Sequence, residues 1–200
     1  MPKSEEEKKK KRAPTDHAGT SVDKLKKTLN LSVGSKASAA LASILTEHLE
    51  RIVVEGTKLK ATTCMLSTVE AAVKLAGLGK YHSAGTAAVA KIAKDDKKTD
   101  GLSKSTQAGV SVSVSWVASH LRSCAKRLSG NSAVYVAGVL SAMLADLVKT
   151  ADGMKKKGVE RLTNRELQLA LKEMGLMGTV ASGGVVPFIH PVLLPKKAEE

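Results

Sequence analysis

The feature that most constrains this chain is a doubled helical plan. In the first half, Ala37, Ala40, Leu41, Ile44, Leu45, Leu49, Ile52, Val53, Gly56 and Leu59 recur at helical spacing and predict one long helix over 35–60, with Ser35 as its N-cap. At 1.5 Å per residue such a helix is roughly 38 Å long, well beyond the usual globular length. A shorter helical stretch, 22–29, precedes it. Another, 71–76, follows the Ser67-Thr68-Val69-Glu70 run, whose spacing is that of a capping box. Gly77 and Gly79 then punctuate the chain, and 81–93 reads as a further helix.

The second half repeats the plan. A short amphipathic helix is predicted over 113–125, with Trp116, Val117, His120 and Leu121 on one side. The loop Ser129-Gly130-Asn131-Ser132 leads into a long helix over 133–156, closed by Lys155-Lys156-Lys157-Gly158 with cations at the negative end of the dipole and glycine as the stop. Thr163-Asn164-Arg165-Glu166 forms a second capping box, opening 167–174. The long helices begin 97 residues apart, at Ser35 and Ser132, and the capping boxes 96 apart, at Ser67 and Thr163. Residue identity between the halves is poor, so the repeat is architectural. A short–long–short unit cannot bury the apolar stripe of its central helix alone. Two in one chain can clasp, which predicts an all-α intramolecular pseudo-dimer with one shared core.

Composition narrows the partners. Thirty-two Lys and Arg against 19 Asp and Glu leave a net charge of +13, while aromatics are only 2% of the 200 residues. Aromatic poverty argues against a β-sandwich or barrel and against single-strand nucleic-acid binding, which needs stacking platforms. No run of about 18 uncharged apolar residues occurs, so no membrane partner is expected. The charged 1–12 segment lacks the apolar core of a secretory signal. It contains Glu5 to Glu7 and then Lys8 to Arg12, a basic run read by import receptors or by phosphates, or simply a solvated tail. Cys64 and Cys124 lie far apart in sequence without a metal motif, and suggest buried thiols in a reducing compartment. His17, His48, His82, His120 and His190 fall into no zinc-ligand spacing, so no metal or other cofactor is expected. No catalytic constellation or phosphate loop is present, and the chain does not read as an enzyme. The rival reading is a helical scaffold that docks a protein without nucleic acid; it leaves the basic excess unexplained.

At this point a resemblance becomes specific. AVYVAGVLSAMLADL (133–147), RELQLAL (165–171) and GGVVPFIHPVLLPKK (183–197) resemble the 2A-type core histone. SKA (35–37), ERI (50–52), EGTKL (55–59) and GTAAVAK (85–91) resemble the 2B type more weakly. A 2B-like unit ahead of a 2A-like unit looks like the histone doublets of marseillevirus-type giant DNA viruses. The resemblance implies a basic tail (1–19), a 2B-like histone fold with a C-terminal helix (20–94), a linker (95–108), a 2A-like fold (109–182) and an extended docking tail (183–200). The two folds would be clasped in a handshake. The implied function is sequence-independent binding and compaction of double-stranded DNA in a nucleosome-like particle. Viral factory and virion would be its places of action, or the host nucleus. Its partners would be a histone 3/4-type chain, itself a doublet, and a second copy of this chain.

The resemblance also carries residues. Arg127 matches the family's first-loop arginine and Arg161 its second-loop arginine, both implied to enter the minor groove. Arg122 is an implied phosphate contact. In the first half the paired loops hold Ser35 and Lys36, then Lys58, Lys60, Thr62 and Thr63, with Lys60 standing in for a missing arginine; Lys156 and Lys157 join the set. Trp116 occupies the place of a DNA-facing arginine. Val185, Val186, Pro187, Phe188, Ile189, Val192, Leu193 and Leu194 resemble the family's docking segment, kept extended by its prolines. The family's acidic patch is largely lost: Ser141, Asp146 and Lys149, with Gly77 and Ala84, stand at its positions, and only Asp146 keeps the charge.

Overall fold

A computed structural model describes residues 17–60, 62–95, 102–125, 127–155 and 158–176. The two long helices exist and are matched: α2 (Ser35–Lys58) and α7 (Gly130–Gly153) each have 24 residues. In the first half, α1 (His17–Leu29) precedes α2; β1 (Thr63–Cys64), α3 (Leu66–Leu75), a 3-10 turn (Gly79–Tyr81) and α4 (His82–Asp95) follow. In the second, α5 (Lys104–Gln107), α6 (Val114–Leu121) and β2 (Arg127–Leu128) precede α7, and α8 (Asn164–Glu173) follows.

The helices form because their apolar residues repeat on one face. Leu41, Ile44, Leu45, Leu49 and Ile52 of α2 are fully buried, as are Leu140, Met143, Leu144 and Leu147 of α7. They belong to one continuous core, to which α1, α3, α6 and α8 also contribute. The core crosses the halves, since α2 touches α6, α7 and α8, and α7 touches α1 and α3. Burying each such side chain contributes about 1.5–3 kcal/mol. Neither half retains that contribution without the other.

Two loop pairings join the halves. β1 runs parallel to β2, Thr63 facing Arg127 and Cys64 facing Leu128. At the other end Val33 bridges Leu162, with Gly34 N–H donating to the Leu162 carbonyl at 2.9 Å and Leu162 N–H to Ser32 at 2.9 Å. The buried Ser132 hydroxyl donates to the Cys64 carbonyl at 3.0 Å, and Ser129 N–H to the same oxygen at 3.1 Å. The exit of each long helix is thereby tied to the entry of the other.

α4 lies across α7 at a distance only glycine permits. A Cβ on Gly85 would stand 2.6 Å from the Tyr135 ring, and one on Gly138 would stand 2.8 Å from Ala88 Cβ and 3.0 Å from the Ala84 carbonyl. Tyr135, wholly buried, hydrogen-bonds His82 Nδ1 through its hydroxyl at 2.7 Å. Burial, with the nearby Glu70 charge, pushes the Tyr135 phenol up to about 12.

Several expectations are corrected. Ser35 is the first helical residue of α2, and Gly34 is the N-cap, in extended conformation at ψ 153°. The Ser67–Glu70 capping box does not form: α3 begins at Leu66 with Met65 as N-cap and no side-chain cap. Pairing of Thr63 and Cys64 to the second half sets where the chain can turn, which places Ser67 inside the first turn. α7 starts at Gly130 and ends at Gly153, earlier at both ends than 133–156. Lys155 is therefore beyond the helix, pairing with Asp152 at 2.5 Å and donating to the Glu160 carbonyl at 3.2 Å. α6 stops at Leu121, short of 125. The expected linker, 95–108, carries α5 in its second half; Ser105 accepts from Val114 N–H at 2.9 Å, and Ala108 is buried.

The expectation that nothing has membrane-spanning character also needs refinement. α7 is, among the described residues, the one helix long and apolar enough to cross a membrane, but 72% of its most apolar window is buried within the fold. Its hydropathy is that of a core helix. The box at 163–166 does form: Glu166 accepts from Thr163 N–H at 2.9 Å and from the Thr163 hydroxyl. Burial pushes the Glu166 carboxyl up, but these hydrogen bonds and the Arg165 charge outweigh it, leaving it below the usual carboxylate range.

Candidate nucleic-acid interface

The two loop pairings bring the expected contact residues into two clusters. One holds Ser35 and Lys36, at the start of α2, beside Arg161 next to Leu162. The other holds Lys60, Thr62 and Thr63 beside Arg127. Arg127, Arg161, Lys36, Lys60, Ser35 and Thr62 are exposed, and Thr63 is half-buried. Each cluster also contains two helix N-termini: those of α2 and α8 in the first, and those of α3 and α7 in the second. The N-termini of α2, α3 and α7 carry no side-chain cap and present unpaired N–H groups with a partial positive charge, so with the cations they suit a phosphodiester backbone, whereas that of α8 is already met by the Thr163–Glu166 box.

Lys60 has an unusual backbone, φ +47°, and its N–H donates to the Thr57 carbonyl at 3.1 Å. That conformation directs the chain out of α2 toward β1. Lys58 is less available than expected, because its ammonium pairs with Glu55 at 2.7 Å. Being exposed, that pair contributes little stability, but it offsets the charge offered to an anion. Lys156, Lys157 and the docking residues of 183–195 lie outside the described residues.

Arg122 is exposed at the end of α6 and lines a hollow of about 470 Å³ with Lys104, Ser129 and Gly130. The start of α7 thus faces two cations. Lys104 was missed from sequence because it lay in the presumed linker; the signal was the Ser103 N-cap, whose hydroxyl accepts from Thr106 N–H at 3.3 Å. Trp116 is turned into the protein, its ring edge-on to His120 at 5.1 Å between centroids. It packs against the core and offers no cation there. No cluster of His, Cys, Asp or Glu suited to a metal occurs among the described residues.

Two of the residues at the expected acidic-patch positions, Asp146 and Ser141, have partners within the protein. Asp146 accepts from the Tyr81 hydroxyl at 2.8 Å and sits 3.5 Å from the Lys80 ammonium. Burial, followed by the bond to Asp146 and its charge, pushes the Tyr81 phenol far above its usual value. Ser141 accepts from Val112 N–H at 3.1 Å.

Sequence comparisons decide the family. A family model described as the C-terminus of histone 2A matches residues 176–200. Histone 2A-IV of Volvox carteri is 36% identical over 134 residues, an alignment covering 62% of this chain and 94% of that protein. The chain belongs to the histone 2A family. Histone 2A of Chlamydomonas reinhardtii is similar at 35% identity over the same shares. Histone 2A of Plasmodium falciparum is 38% identical over 112 residues, 52% of this chain and 85% of that one. This histone is accordingly a structural DNA-packaging protein and not an enzyme. Its setting is chromatin, and its partners are DNA and other histones.

Proposed function

We propose that this histone is a doublet: two histone folds, a 2B-like one followed by the 2A-like one, clasped in a handshake within one chain. It binds duplex DNA without regard to sequence, as the 2B–2A component of a nucleosome-like particle. The observation that carries this reading is the pair of parallel loop contacts, Thr63–Cys64 with Arg127–Leu128 and Val33 with Leu162. They support a reciprocal clasp, and they set Arg127 and Arg161 exposed at two separate paired loops. Arg122 with Lys104, Lys36 and Lys60 supply further phosphate contacts, and Lys58, Lys156 and Lys157 weaker ones. Affinity then comes chiefly from counterion release, which a net charge of +13 favours.

The partner in this reading is a histone 3/4-type chain, itself a doublet, engaged by 185–194, with a second copy of this chain completing the particle. The tandem arrangement matches the histone doublets of marseillevirus-type giant DNA viruses, and viral factory and virion are its proposed places of action. The test is a gel shift on random duplex DNA across a salt series. Arg127→Ala and Arg161→Ala should each weaken binding on every sequence and lower the salt slope by about 1. A slope unchanged in the double variant refutes the loop assignment. Reconstitution with a histone 3/4-type partner and micrococcal nuclease digestion should protect a discrete DNA length; absence of any protected length overturns the particle.

A further inference from the structure

Between α1, α4, α5 and α7 lies a groove of about 670 Å³, away from both loop clusters. Two of its walls are made of small residues, Ala84, Ala87 and Ala88 from α4 and Gly138, Ala142 and Ala145 from α7, while Leu25 and Leu29 of α1 line a third. Around it stand Lys24 and Lys27 of α1 and Lys91 of α4, and among the described residues no Asp or Glu lines the groove. None of these lysines is ion-paired among the described residues; the ion pairs there involve Lys26, Lys58, Lys80 and Lys155. The closest acid along α7, Asp146, is already engaged by Tyr81 and Lys80. Lys91 Nζ is held over the bend at Gly109, 3.3 Å from where a Cβ would be.

Three like charges around one concavity repel one another, and low-dielectric walls focus their field. Lys24 and Lys27 are three residues apart, hence on one face of α1. A carboxylate-bearing segment relieves that repulsion, while methyl-sized side chains beneath leave room for its backbone and small apolar groups. A stiff duplex cannot follow the surface down between two helices. We propose that this groove docks an acidic peptide segment of another protein, its carboxylates meeting Lys24, Lys27 and Lys91 and its apolar side chains lying on the alanines.

The test uses the full chain and a fluorescein-labelled peptide alternating Glu with Ala and Leu, read by anisotropy. The combined Lys24→Glu, Lys27→Glu and Lys91→Glu variant should weaken binding about ten-fold or more, the sum expected of three exposed ion pairs. Ala87 is exposed, so Ala87→Trp fills the groove without changing charge or core, and should also weaken binding. Arg127→Ala with Arg161→Ala should leave peptide affinity unchanged even where it weakens duplex binding, which separates this site from the DNA interface. Peptide affinity indifferent to the lysine reversal or to Ala87→Trp overturns the proposal. So does a reversal that weakens random duplex as much as peptide, which would make the groove a phosphate surface. A ten-fold gain in peptide affinity on removing 1–16 or 177–200 would assign the groove to the chain's own acidic residues and overturn it equally.

Discussion

The two long helices have the same length and opposite surroundings. α7 is sheathed: from Ser132 to Leu140 every residue is buried, because α4 covers the flank that its own half leaves open. α2 has no such cover, and Glu50 and Val54 remain exposed along it. The covering helix follows α3 in the chain, so the first unit completes the second and not itself. Burial pattern is thus set by which helix has an extra neighbour, not by the repeat.

The sharpest way to break this comparison is at equivalent positions on the two helices. Gly138→Leu drives a side chain into the backbone of α4, where even a Cβ meets the Ala84 carbonyl at 3.0 Å. We expect a loss of about 3 kcal/mol or more. Ser43 stands at the matching place on α2, half-buried, its hydroxyl donating to the Ala39 carbonyl at 3.1 Å. Ser43→Leu should change stability by about 0.5 kcal/mol or less. Equal losses in denaturant unfolding would show that α4 does not distinguish the helices.

The second test concerns a charge placed on α2. Glu47 is buried, and its Oε2 has no hydrogen-bond partner among the described residues. Burial, opposed by Arg51 and reinforced by Glu50, raises its pKa to about 7. A folded-state pKa above the unfolded value means that the stabilisation is complete below the unfolded pKa and disappears as pH rises through the folded one. Parent stability should therefore fall between about pH 4.5 and pH 7. Glu47→Gln should be more stable than the parent at pH 8 by about 3 kcal/mol, with no advantage at pH 4. A pH-independent difference would dismiss the account. Its neighbour His48 is also buried; burial holds its pKa down, and Nδ1 bonds the Ile44 carbonyl at 2.8 Å.

The smallest effects lie at the third helices, α8 capped and α3 uncapped. Thr163→Ala removes a reciprocal box and should cost about 1 kcal/mol, whereas Met65→Ser gives α3 the cap it lacks and should add about 0.5 kcal/mol. Thermal unfolding of the two variants should move in opposite directions. A destabilised Met65→Ser would mean that exposed Met65 makes an apolar contact that matters more than the cap.

These contrasts show what was legible beforehand. Helical spacing placed α2, α7 and α8 within a few residues, since periodic burial follows directly from periodic apolarity. The box at Thr163 was readable because both of its partners are local. The one at Ser67 misled because the decision was not local: strand pairing with residues 64 positions away set where α3 begins. α5 was hidden by polar, glycine-containing composition, although its Ser105 and the following Ala108 are buried. Arg127 and Arg161 came from family resemblance, and the loop pairings supply a physical reason for their placement. Lys104 and the groove between α1, α4 and α7 depend on packing between distant segments, which spacing alone does not encode.

The shortest element has a directional consequence. In a strand, neighbouring side chains point to opposite sides, so the two-residue ladder of Thr63–Cys64 with Arg127–Leu128 works as an aiming device. With Leu128 half-buried and Arg127 exposed, a slip of one residue would turn the arginine inward and the leucine to solvent. The compass bearing of a guanidinium is thereby held by a few backbone hydrogen bonds between two distant stretches of one chain.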